Sequence, residues 1–187
     1  MNLPLPNLQG DFQINNVATA IATVRNLNKF KVNELEISKA ITKIRSEGRL
    51  QYITHGKLKN LVSKNNQIIL DGGHNTLAAS EIKKYLSSLN TKKKIIMVLG
   101  MMANKDHKEF IEILKNSIHS IVSLDIPNQT NFIKKEELAK IAQTCGVSSK
   151  IELSIESALK NISKQDSDAI IFCTGSLYFA GEILNLN

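Results

Sequence analysis

The sequence predicts an α/β protein: a mostly parallel sheet with helices on both faces, preceded by two helices. Three observations lead there. Beyond about residue 49, short continuous apolar runs alternate with stretches of roughly 10–14 residues at helical spacing, the rhythm of parallel strands buried on both sides. Several of these runs end abruptly in a polar, glycine-containing loop, as in "ILDGGHN", Ile69 to Asn75. The first 48 residues carry helical spacing and no strand-like run.

The elements follow in order. "INNVATAIATVRNL" places Val17, Ala20, Ile21, Val24 and Leu27 on one helical stripe, with an asparagine start signal. "NELEISKAITKIRSEGR" is a second helix, with Asn33 and Glu36 as a capping box and Gly48 as its stop. Its apolar stripe is Leu35, Ala40, Ile41 and Ile44. "RLQYIT" is extended and "QIILD" is a β-branched strand. Residues 76–89 form a helix and "KIIMVLG" a buried strand. "DHKEFIEILKNSI" is a helix capped by Asp106 and Glu109, and "SIVSLD" is a strand. "KKEELAKIAQTCG" is a helix ending at Gly146, "KIEL" a short strand, and "SIESALKNIS" a helix capped by Ser154. "DAIIFCTG" and "SLYFAGEILNL" close the chain as strand and helix.

Composition sets the class. Across 187 residues, 42% hydrophobic and 22% charged content suits a water-soluble globular chain with a core of its own. No run approaches the ~18 apolar residues of a membrane span. The N-terminal stretch lacks the basic start and apolar stretch of a secretory signal. Cys145 and Cys173 stand far apart without a CxxC, which fits a reduced, cytoplasmic protein. The net charge of +7 favours anionic ligands. The lysines are scattered, and aromatic residues are too few and too dispersed for a base-stacking platform, so nucleic-acid binding is the weaker reading.

In such sheets, ligands bind beyond the carboxyl ends of the strands. "DGGHN", "GMMANKD" (Gly100 to Asp106) and "TGS" (Thr174 to Ser176) all fall at such ends and are expected to share one edge. Two readings compete for each residue. Asp71 is a ribose-binding or orienting acid, or an Asx turn before a helix. Gly72 and Gly73 admit close ligand approach, or simply a tight turn. His74 is a titratable group at a helix start, or a structural ring. Asn75 is an N-cap. Lys105 is a point charge for phosphate or carboxylate, or a solvated lysine. Gly175 and Ser176 offer backbone N–H groups to an anion, or a turn with a serine cap. His55, His107 and His119 have no metal-ligand spacing. No G-x-x-x-x-G-K-[ST] phosphate loop, G-x-G-x-x-G fingerprint or G-x-S-x-G elbow occurs in the sequence.

"LPLPNLQGDFQINNVATAIATVR", "GRLQ", "ILDGGHN", "VLGMMANKD" and "FCTGSLYFAGEIL", in this order and spacing, resemble the C-terminal part of bacterial folylpolyglutamate synthases of the bifunctional dihydrofolate synthase type, a branch of the Mur ligase superfamily. The resemblance runs over nearly the whole chain. It implies a Rossmann-like C-terminal domain from residue 49 to 187, and the helical tail of an ATP-binding ligase domain over residues 1–48. It implies ATP-dependent transfer of L-glutamate to dihydropteroate or folates through an acyl phosphate, with ATP and Mg2+ as cofactors and the Mg2+ ligands outside this chain. It places Asn16, Arg49, Asp71 and His74 at the nucleotide: Arg49 at the phosphates, Asp71 at the ribose. The alternatives are a helix N-cap for Asn16 and an exposed post-helix charge for Arg49. Two positions depart from the family pattern. Gly73 stands where alanine is usual, and Thr76 stands where proline is frequent. Both look compatible with the same backbone.

The resemblance covers only the back end of the family, so this stretch by itself is expected to be inactive without a separate N-terminal ligase half. A decayed remnant, a stretch of a longer protein, and a non-catalytic nucleotide- or anion-binding module are the alternatives. The apolar faces of the two leading helices, Val17, Ile21, Val24, Ile41 and Ile44, are then expected to be partly exposed or folded back.

Overall fold

Apolar runs too short for helices pair side by side in one direction. The computed structural model describes residues 2–29 and 31–187; Met1 and Phe30 lie outside the described residues. Strands β2 (Gln67–Leu70), β3 (Ile95–Leu99), β4 (Ser120–Ser123), β5 (Ser149–Ile151) and β6 (Ile170–Thr174) are mutually parallel. The short β1 (Gln51–Ile53) joins β2 antiparallel, with Tyr52 opposite Ile69. The sheet order is β1-β2-β6-β3-β4-β5. β3 and β6 are buried along their whole length, which is why they show no polar alternation.

Successive side chains alternate between the two faces. Ile68, Leu70, Ile96, Val98, Val122, Ile171 and Cys173 share one core with helix α6 (Ile155–Gln165) and helix α7 (Leu177–Leu186). The residues between them, Ile69, Met97, Leu99, Ile121 and Phe172, are equally buried toward the other face. There α3 (Thr76–Ser88), α4 (His107–Leu114) and α5 (Lys135–Thr144) pack in a row. The expected two-faced sheet is therefore present.

The caps explain the helix starts. Asn75, Asp106, Ser154 and Ser176 each accept a backbone N–H in the first turn of α3, α4, α6 and α7. Gly146, at φ +82, ends the α5 segment as anticipated.

Residues 1–50 form a separate compact unit from residues 51–187. In it, α1 (Phe12–Arg25) starts two residues before the expected "INNV" signal, and the side chain of Asp11 makes no cap bond. Asn16 is thus inside the helix rather than at its N-cap, a correction to that alternative. The second helix, α2 (Glu34–Ile41), has the expected Asn33–Glu36 capping box. It stops at Ile41, well before Gly48, where the hydroxyl of the β-branched Thr42 bonds back to the carbonyls of Ser38 and Lys39. Val17, Ile21, Val24 and Ile44 are half-buried and Ile41 is buried. With Ala20, Val32, Ile37 and Ala40 they line an open apolar groove of about 310 Å³.

Burial also dictates alkaline behaviour. It pushes the Cys173 thiol up to about 12. Burial, aided by the 2.8 Å hydrogen bond between the Tyr52 and Tyr85 hydroxyls, also raises Tyr85. An acid raised by folding stabilises the fold fully below its unfolded pKa and loses that contribution as pH climbs through its folded one. For Cys173 the window runs from about 9 to about 12, at a cost of about 1.4 kcal/mol per pH unit. Denaturant midpoints should therefore fall steadily above pH 9, and Cys173→Ala should flatten that limb.

Candidate functional site at the carboxyl edge of the sheet

β2 and β6 are neighbours, yet their chains leave in opposite directions. The chain after β2 enters α3 on one face, and the chain after β6 enters α7 on the other. In open α/β sheets such a divergence is the place where ligands commonly bind.

The loops at this edge are tied together. The ladder between β2 and β6 continues one step beyond the strands, with Asp71 N–H donating to the Cys173 carbonyl at 2.9 Å. The Gly73 carbonyl then accepts two donors, Gly175 N–H at 3.0 Å and the Thr174 hydroxyl at 3.2 Å. Gly100 N–H donates to the Thr174 carbonyl at 3.2 Å. The three polar loops read from the sequence therefore do meet on one edge.

Asp71 is almost fully buried, and its Oδ1 accepts Gly73 N–H at 2.7 Å. The Asx turn is therefore present, and it holds the carboxylate in the loop that follows β2. Its charge adds to the rise of the Tyr85 pKa. His74 is half-buried, with Nδ1 3.0 Å from the Gly72 carbonyl, which orients the ring. Asn75 caps α3 through Ala78 N–H at 2.8 Å. Thr76 is the first helical residue, where proline is also tolerated.

At Gly73 a Cβ would lie 2.8 Å from Asp71 Oδ1 and 2.9 Å from Ile82 Cδ1, so those two side-chain ends would have to give way to an alanine. Gly175 is more constrained still. Its φ of +112 is glycine territory, and a Cβ would lie 2.5 Å from the Gly100 carbonyl oxygen. This crossing of backbones holds the "TGS" and "GMMANKD" loops together.

Asn16 and Arg49 belong to the 1–50 unit. Asn16 is exposed on α1 and donates to Gln13 Oε1 at 3.0 Å. Arg49 is half-buried between two left-handed residues, Gly48 at φ +63 and Leu50 at φ +46. A leucine in that region carries strain. Asp71 and His74 belong to the second unit, where the fold brings them together.

Sequence reasoning did not single out Thr174 as a loop-holding residue. Its one signal was a hydroxyl closing an otherwise apolar strand. The basic run Lys92–Lys94 lies at the opposite, amino-terminal edge. There Lys93 pairs with Asp168 at 2.6 Å and Lys94 with Asp166 at 3.0 Å. Among the described residues no cluster of three or more His, Cys, Asp or Glu side chains could hold a metal ion. Nor is any helix among them long and apolar enough to cross a membrane.

Fold and loops together define a doubly wound α/β domain whose polar, glycine-containing loops gather at the carboxyl ends of β2, β3 and β6. A family model described as "Dihydrofolate synthetase, C-terminal domain" matches residues 51–186, and the chain belongs to that family. This bears out the resemblance seen in the sequence. A dihydrofolate synthase/folylpolyglutamate synthase of Buchnera aphidicola (subsp. Acyrthosiphon pisum) is 29% identical over 92% of this chain and 39% of its own length. A Saccharomyces cerevisiae dihydrofolate synthetase is 24% identical over 96% of this chain and 45% of its own. The chain thus spans about two fifths of the length of these relatives. Among solved structures, the E. coli FolC complex with DHPP and ADP superposes with a TM-score of 0.77 at 22% identity, over 98% of this chain and 40% of that one. A Mycobacterium tuberculosis folylpolyglutamate synthase complexed with ADP gives 0.80 at 18%, over 97% and 41%. At these identities the structural matches speak for the fold.

Proposed function

We propose that this chain is the carboxyl-terminal part of an ATP-dependent folate ligase, adding L-glutamate to dihydropteroate or folates through an acyl phosphate. The observation that carries the reading is the Asp71–His74 loop, a buried carboxylate and an oriented imidazole at the switch point of a family-matched domain. Solved structures with the same fold, described as holding ADP, or Mn, AMPPNP and L-glutamate, support ATP and a divalent cation as the cofactors.

In this reading the first 48 residues are the tail of the ATP-binding ligase domain. Asp71 accepts hydrogen bonds from the ribose hydroxyls, and His74 and Asn16 contact the nucleotide. Arg49 neutralises phosphate charge. Phosphoryl transfer rewards such positioning and charge compensation, and needs little covalent chemistry from the protein. ATP supplies the phosphoryl group that activates the carboxylate; Mg2+ is held by residues outside this chain.

The half-exposed apolar groove between α1 and α2 suits a face made to be covered by further protein. The chain therefore works with the remainder of the ligase, in a soluble, cytoplasmic setting, and does not turn over substrate alone. Reconstitution tests this. The chain mixed with ATP, glutamate and dihydropteroate should release no phosphate, and addition of an N-terminal ligase half should start turnover. Turnover by the chain alone, or none with any half that binds it, contradicts the proposal.

A further inference from the structure

Thr174 is fully buried at the end of β6, a position where the strand's apolar pattern calls for valine or isoleucine. A hydroxyl there costs desolvation unless it does something. What it does is donate to the Gly73 carbonyl at 3.2 Å, which Gly175 N–H already satisfies at 3.0 Å. The hydroxyl is therefore a surplus donor, not required to rescue an orphaned carbonyl. Through its own N–H, the same residue, Gly73, holds Asp71 Oδ1 at 2.7 Å. With no side chain of its own, Gly73 relies on these contacts to fix its backbone.

We propose that Thr174 is a positioning residue for nucleotide binding: its hydroxyl, acting through Gly73, sets the direction of the Asp71 carboxylate. The relay runs from the Thr174 hydroxyl to the Gly73 carbonyl, and from Gly73 N–H to Asp71. It couples the end of one strand to the ligand loop of its neighbour. The inference rests on the nucleotide reading above, and its test separates the two.

The full chain, ¹⁵N-labelled, is titrated with ADP as wild type, Thr174→Val and Thr174→Ser. Because Gly73 keeps its bond to Gly175, Thr174→Val should melt within a few degrees of wild type. It should nevertheless move the Gly73 amide resonance and weaken ADP binding about fivefold, the worth of one neutral hydrogen bond. Thr174→Ser should restore both. If Thr174→Val binds ADP like wild type with an unmoved Gly73 amide, or if Thr174→Ser is as impaired as Thr174→Val, the relay is wrong. If wild type takes no ADP, the nucleotide reading fails, and the Gly73 amide alone judges the relay.

Discussion

Gly175→Ala is expected to lower stability by roughly 3 kcal/mol and the melting temperature by about 10 °C. Two effects add. The backbone at φ +112 is closed to a residue with a Cβ, and that Cβ would stand 2.5 Å from the Gly100 carbonyl oxygen. A clash with backbone cannot be relieved by a rotamer change, so a whole loop must move. Whichever loop moves, the Gly175–Gly73 and Gly100–Thr174 hydrogen bonds go with it. The variant should therefore lose nucleotide binding as well as stability, read by thermal denaturation and ADP titration together. A variant as stable as wild type would show that the three loops are not interlocked as described.

Asp71→Asn is expected to show the opposite separation. Asparagine keeps the Oδ1 that accepts Gly73 N–H at 2.7 Å, so the Asx turn should survive. The charge is lost. A charge-assisted hydrogen bond is worth about 1.5–3 kcal/mol, so nucleotide affinity should drop roughly 10- to 100-fold with little change in melting temperature. Reconstituted turnover should fall in parallel. If Asp71→Asn destabilises the chain strongly and leaves affinity intact, the carboxylate is a structural turn and nothing more.

The sequence made most of the second unit legible because its signals are local. Continuous β-branched runs mark β3 and β6, and Ser154, Ser176 and Asp106 announce their helices with side chains that do cap them. It misled in the first unit. The spacing of Ile41 and Ile44 extends the helical stripe to Gly48, but the helix ends at Ile41 with Thr42 as its C-cap, so Ile44 joins the apolar groove from outside the helix. The antiparallel edge strand β1 was visible only as an extended stretch, since pairing direction is set by chain geometry rather than by residue type. At the site, Asp71 and His74 stood out because acid, glycines and histidine cluster in sequence. The part of Thr174 stayed hidden because the Gly73 carbonyl it reaches is distant in the chain and adjacent only in space. The closeness of the Asp71 carboxylate to Gly73 likewise shows only in space.

If the carboxyl ends of β2 and β6 carry the nucleotide site, titration of the ¹⁵N-labelled chain with ADP should give concentration-dependent amide shifts at Gly72, Gly73, His74 and Gly175, and none around Lys92, Lys94 and His119 at the opposite edge. Shifts confined to that lysine-rich edge would place the nucleotide elsewhere and rule this site out.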